Sequence, residues 1–162
     1  MSKILITGGA GYIGSVLTGM LLQRTNEVTV IDNLMYGQSS LTNLCSYKGF
    51  NFIEGDVRDK ALLEEQVKKH DVIIPLAAIV GFPACERDKQ LATAVNYEHV
   101  SDICKWASSK QKLIYPNTNS GYGVGEDDTL CTEETPLSPI SHYGVTKCQA
   151  EANILSKGGI SL

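Results

Sequence analysis

The stretch HYGVTK places Tyr143 four residues before Lys147. On a helix that is one turn, and both side chains share a face about 6 Å apart. A free tyrosine ionises near pH 10 and is a poor base in neutral water. Bringing it to neutrality takes roughly 4 kcal/mol, which a nearby cation helps to supply. The pair therefore suits proton transfer at a hydroxyl. Spacing alone is weak support. Seven tyrosines and eleven lysines would give this pattern by chance about half the time, and a cation beside a ring on a solvated face is the plain alternative. A third hydroxyl, Thr118 in YPNTNSGYG, could bond a reacting oxygen and hold it toward Tyr143, or merely bond its own backbone.

A second group of residues points to a phosphate-bearing ligand. In TGGAGYIGS, Gly8, Gly11 and Gly14 form GxxGxxG between an apolar run and a helical pattern. Such glycines permit a tight turn and bring backbone amides and a helix N-terminus up to a pyrophosphate. EVTVI then runs into Asp32, whose carboxylate can accept both hydroxyls of an adenosine ribose. It would repel a 2′-phosphate, and no Arg or Lys follows at 33–38, so NAD is favoured over NADP. In GDVRD, Asp56 could accept an adenine amino group, although Asp56 and Asp59 are also good turn and cap residues.

These residues need a scaffold that sets each just after a strand. Apolar and β-branched runs predict strands over 4–7, 27–31, 50–54, 72–74 and 112–115, with a sixth begun at 160–162. Helical spacing predicts helices over 12–22 and 141–156 and one long helix over 88–108. A further helix is capped by Asp59 and turns Leu62, Leu63 and Val67 inward; Ser141 caps the last one. Strand and helix alternate throughout, which implies an α/β fold: a doubly wound parallel sheet with helices on both faces. Ligands of such sheets bind beyond the carboxyl ends of the strands, near the switch point.

Composition narrows the function. The chain has 162 residues, 43% hydrophobic and 20% charged, with a formal charge of −4 and no long basic run. It suits one domain of ordinary size and does not suggest a nucleic-acid partner. The opening MSKILITGG is too short to span a membrane and lacks a signal-peptide core. Cys45, Cys85, Cys104, Cys131 and Cys148 form no CxxC, and His70, His99 and His142 are scattered. No metal is expected, and the thiols read as reduced, small buried hydrophobes of a cytoplasmic protein.

Together TGGAGYIGS, Asp32, GDVRD, PLAA, Thr118 and YxxxK resemble the extended short-chain dehydrogenase/reductases, more narrowly the NAD-dependent epimerase/dehydratases of nucleotide sugars. The resemblance covers essentially the whole chain and implies a Rossmann-type NAD-binding domain over 1–162. Family members run to about twice this length, so the domain is expected to be incomplete at its C-terminus, with the C-terminal substrate domain absent. Position by position, it places Tyr12 and Ile13 under the pyrophosphate and Asp32 through Gly37, including Asn33, around the adenosine ribose. It places Asp56 and Val57 at the adenine. It sets Leu76, Ala77, Ala78, Ile79 and Val80 beside the cofactor, and Asn96 near its nicotinamide half. Thr118, Tyr143 and Lys147 match the catalytic trio, with Lys147 also reaching the nicotinamide ribose.

Departures from the family pattern shape the expected reaction. Family 4,6-dehydratases carry Asp-Glu after the catalytic Thr, and sugar-nucleotide decarboxylases usually have Glu at the second position; here stand Asn119 and Ser120. Dehydration and decarboxylation are therefore disfavoured. Epimerisation of a nucleotide sugar, most simply at C4 through a 4-keto intermediate, fits best. Pro75 replaces a common His and Asn117 a common Ser, both beside the nicotinamide pocket. A 4-keto-sugar-nucleotide reductase and a non-catalytic NAD-binding module are the alternatives. The 162-residue chain by itself is expected to be inactive, and the full-length protein to be a homodimer.

Overall fold

A computed structural model describes residues 1–24, 26–124 and 130–162. Six strands form one parallel sheet: β1 (Lys3–Thr7), β2 (Glu27–Asp32), β3 (Phe50–Glu54), β4 (Val72–Pro75), β5 (Lys112–Tyr115) and β6 (Ile160–Ser161). Their order is β3-β2-β1-β4-β5-β6. β1 is central, with Leu5 opposite Thr29 on one side and Ile73 on the other. The chain winds outward from β1 to β3, then returns to β4 and winds the other way, so the switch point lies between β1 and β4.

Alternation along the strands builds two cores. Leu5, Ile31, Ile73 and Leu113 face one side, where they meet Leu63 and Val67 of α2 (Lys60–Lys69), Val100 and Ile103 of α5 (His99–Trp106), and Ala150 and Ile154 of α6 (His142–Ser156). Ile4, Ile6, Val28, Val30 and Ile74 face the other side, against Leu22 of α1 (Tyr12–Gln23) and the short turn at Leu41 and Leu44. Burial on both faces explains why the inner residues of β1, β2 and β4 read as apolar and β-branched runs rather than as an apolar–polar alternation.

Caps fall where the sequence places them. Asp59 accepts from Ala61 N and Leu62 N, and Ser141 Oγ from Gly144 N. The single helix expected over 88–108 is corrected in two ways. A short α3 (Phe82–Arg87) precedes it, with Pro83 in the first turn, where a proline is tolerated. Asp88 then caps α4 (Lys89–Thr93), and a π turn over Ala94–Glu98 separates α4 from α5. The π turn accommodates one additional residue, too little to disturb a 3.6-residue period over this length.

The thiols are also less uniform than expected. Cys85 and Cys104 are buried and Cys148 partly so, but Cys45 and Cys131 are exposed. No helix among the described residues is long and apolar enough to cross a membrane. No group of three or more His, Cys, Asp or Glu among them could hold a metal ion.

Candidate active site at the carboxyl edge of the sheet

A cavity of about 610 Å³ opens along the carboxyl ends of the strands, a size typical of small-molecule sites. The glycine loop forms its floor. Gly8 has φ +70, and a Cβ there would lie 2.5 Å from both the Cα and N of Ala77. Only glycine lets the β1 turn pack on the loop after β4. A Cβ at Gly14 would meet Gly9 Cα at 2.6 Å, so α1 too can start this close only without a side chain. Gly11 precedes α1 and offers no side-chain cap, leaving first-turn amides without intrahelical partners. Such a cradle fits a pyrophosphate.

At one end of the cavity, Asp32 is 8% exposed. Its carboxylate accepts from Ala10 N and Leu34 N, both at 2.9 Å, and from Gln38 Nε2 at 3.4 Å. These bonds fold the following loop back on the strand end, with Leu34 at φ +50. Beside it, Asp56 is more crowded than the sequence suggests. Arg58 N and Nε donate to its Oδ1 at 2.9 Å, Arg58 NH2 to its Oδ2 at 2.7 Å, and Asn33 Nδ2 to the same oxygen at 3.3 Å. Arg58's bonds hold the Asp56 carboxyl down at about 2.

At the other end stand Tyr143 and Lys147 of α6, with Pro116 and Asn117 after β5. Lys147 is 6% exposed. Its Nζ donates to Pro116 O at 2.8 Å and sits 3.9 Å from the Tyr115 ring centroid. Burial pulls the ammonium down to about 8, with Glu151 opposing. Tyr143 is half-buried, and desolvation pushes its hydroxyl above the ordinary value, with Thr118 countering in part. The expected lowering of the tyrosine by the lysine does not set its ionisation here: burial dominates, and the ammonium's hydrogen bond goes to a carbonyl rather than to the phenol.

Of the residues singled out from the sequence, Gly8, Gly11, Tyr12, Ile13, Gly14, Asp32, Asn33, Asp56 and Val57 line the cavity. Leu76, Ala77, Ala78, Ile79, Val80, Tyr143 and Lys147 line it too. Three do not. Gly37 makes the next turn, at φ +62 with nothing near its Cα face. Thr118 lies one residue beyond the wall and is partly engaged locally, donating to Ser120 Oγ at 3.2 Å and accepting from Ser120 N at 3.3 Å.

Asn96, expected to touch the cofactor, is 1% exposed behind the wall. Its Oδ1 accepts from Ile79 N at 2.8 Å and its Nδ2 donates to Ile79 O at 3.0 Å, so it positions the loop after β4 instead. Arg58 and Gln38 are cavity residues that the sequence did not single out. For Arg58 the available signal was its place two residues after Asp56. Asn117 lines the wall with its Oδ1 buried and without a partner among the described residues. The cavity thus offers glycine-backed amides, the Asp32 carboxylate at one end and an unspent acceptor at the other.

Comparisons with known proteins agree with this geometry. The family model "NAD dependent epimerase/dehydratase family" matches residues 4–156. A UDP-N-acetyl-alpha-D-glucosaminuronate decarboxylase of Bacillus cytotoxicus is 34% identical over 78% of this chain and 41% of its own length. The UDP-Glc/GlcNAc 4-epimerase of Campylobacter jejuni superposes with a TM-score of 0.87 at 29% identity, over 98% of this chain and 49% of that one. A UDP-glucuronic acid 4-epimerase of Bacillus cereus, solved with UDP-glucuronic acid and NAD, gives 0.83 at 30% identity, over 96% and 52%. The chain spans about half or less of the length of these relatives. With a parallel sheet switching at β1 and β4, the glycine cradle there and the family match over nearly its whole length, the chain belongs to the NAD dependent epimerase/dehydratase family.

Proposed function

We propose that this chain is the cofactor domain of an NAD-dependent nucleotide-sugar epimerase that acts at C4 through a 4-keto intermediate. The observation that carries the reading is one cavity joining the glycine cradle and Asp32 to Tyr143 and Lys147. Amides at the start of α1 would hold the pyrophosphate, and Asp32 the adenosine ribose, with a ribose hydroxyl replacing the long Gln38 bond. NAD bound there supplies the hydride acceptor and, later, the donor at the sugar carbon.

Tyr143 takes the O4 proton as C4 is oxidised and returns it as C4 is reduced on the other face. Thr118, close enough to Tyr143 to favour its phenolate, steadies O4 by turning its hydroxyl from Ser120. Lys147 keeps a positive charge at the reactive end. The absence of a carboxylate at Asn119 and Ser120 supports epimerisation over dehydration or decarboxylation, since oxidation and re-reduction need no additional acid.

The test has two arms. NAD⁺ titrated into this chain should bind at least about tenfold more weakly after Asp32→Ala, as expected for losing a charged acceptor; unchanged affinity would remove Asp32 from the ribose site. In the protein carrying this domain, Tyr143→Phe should lower sugar-nucleotide turnover by about 100-fold or more and leave NAD⁺ affinity nearly unchanged. Equal turnover would sink the catalytic assignment.

A further inference from the structure

We propose that Tyr115 is a positioning residue for Lys147: its ring face and the neighbouring Pro116 carbonyl together form a seat that holds the lysine ammonium in the cavity wall. The placement rests on geometry alone. Only the catalytic use of the ammonium rests on the reading above.

The Lys147 Nζ lies 3.9 Å from the Tyr115 ring centroid, well inside the roughly 6 Å at which a cation is attracted by an aromatic face. Its one hydrogen bond among the described residues, at 2.8 Å, goes to Pro116 O, the residue next to that ring. No carboxylate among the described residues pairs with it; the nearest charge on its own helix, Glu151, bonds Ser161 Oγ instead at 2.5 Å. A lysine only 6% exposed, whose ammonium has one carbonyl partner among the described residues, is poorly compensated for lost water. The ring supplies the remainder without a competing negative charge that would neutralise the cation.

The ring itself is fixed. Tyr115 ends β5, is 1% exposed, and is packed in the core against which Ala150 and Ile154 also lie. Its hydroxyl is buried with no partner among the described residues. The ammonium sits over the ring and bonds Pro116 O, so the hydroxyl is not what the seat uses. The other titratable groups that act on Lys147 are Glu151 and Cys148 of α6, and buried His99 of α5 senses its charge. All of these are left in place by changes confined to the ring.

The experiment keeps the shape of the ring and changes its electrostatics. Residue 115 is made Phe, then 3,5-difluoro- and 3,4,5-trifluorophenylalanine. The Lys147 pKa is followed by NMR of labelled lysine ε-carbons, assigned with Lys147→Met. Tyr115→Phe should leave the Lys147 pKa within about 0.3 units. Each fluorinated ring should lower it further, by about 0.5–1 unit in all. A flat series overturns the proposal, because the charge on the ring face would then not act on the ammonium. Independently, in the unmutated protein the Lys147 ε-CH₂ protons should resonate upfield of the other lysines, from the current of the ring beneath them; an ordinary shift also overturns it. Neither readout needs bound NAD or turnover, so failure of the proposed function leaves this test intact.

Discussion

Replacing Gly8 by alanine tests how the cavity floor is built. Two costs add. At φ +70 an L-residue is in the left-handed region, worth about 1–2 kcal/mol. The new Cβ would also stand 2.5 Å from Ala77 Cα and N and 2.9 Å from Leu76 C, all of them backbone. A side chain could rotate away, but a backbone must move. Relief requires the β1 turn to part from the loop after β4. That strains the bonds from Leu76 N to Thr7 O at 2.9 Å and from Ala77 N to Thr7 Oγ1 at 3.4 Å, each worth about 1 kcal/mol. The expected loss is about 3–4 kcal/mol, a large share of a typical domain's 5–15 kcal/mol. Gly37 is the internal control: φ is +62, yet nothing lies within 4 Å of its added Cβ, so Gly37→Ala should cost only about 1 kcal/mol. Urea unfolding of the two variants against the parent gives both numbers. If Gly8→Ala and Gly37→Ala come within about 0.5 kcal/mol of each other, the close approach to Ala77 does not constrain the fold and the account of the floor is wrong.

Two further perturbations concern charge. His99 is buried and pushed down to about 4 by desolvation, so between about 4 and the ordinary 6.5 the unfolded chain binds a proton that the folded chain refuses. Stability should therefore fall on acidification through that window, by about 3 kcal/mol for His99 at pH 4. Buried His70 shifts in the same direction. Urea melts at several pH values should show a shallower fall for His99→Asn, and identical slopes would refute the assignment. At the other end of the cavity, Arg58→Ala should let the Asp56 carboxyl rise from about 2 toward 3.8, read by NMR titration. The ion pair is half exposed, so the stability cost should stay under about 1 kcal/mol. It should be present above pH 4 and vanish as pH falls through 2. A carboxyl still near 2 without Arg58 would mean that the backbone and Asn33 hold it.

The parallel sheet was legible because burial on both faces leaves apolar and β-branched runs such as ILIT and VTVI without a charged residue inside them, and because the breaks fall on glycine, asparagine and aspartate. β3 is fully described by its composition even though its residues are only partly buried at the sheet edge. What the sequence hid depends on single residues acting at a distance. The π turn at Ala94–Glu98 exists alongside Asn96's two hydrogen bonds with the Ile79 backbone, seventeen positions away. Nothing in the helical period marks that contact; only the family resemblance singles out Asn96, and it does so for a place near the nicotinamide half. Likewise the sequence shows Asp56 and Arg58 as neighbours, but only the turn shows that the arginine closes on the carboxylate with both its fork and its own backbone amide.

The Tyr143–Lys147 pair shows the same limit for chemistry. Spacing put both groups on one face, and the cavity wall holds them both. Yet the fold moves each away from the charged form its role requires: the phenol upward and the ammonium downward, both by burial. Desolvation is symmetrical in this respect, because it penalises an isolated charge and strengthens any attraction between charges. Among the described residues lining the cavity the other cation is Arg58, and it is closed on Asp56. A phenolate at Tyr143 therefore depends on Lys147 keeping its proton. A lysine held near 8 is still mostly charged at neutral pH. On the proposed assignment, Tyr143 would be a weak base in the domain alone and would gain strength as positive charge is brought against it. In a desolvated pocket that gain would exceed what the same approach yields in water, so the burial that suppresses the tyrosine would also make it responsive to a bound substrate.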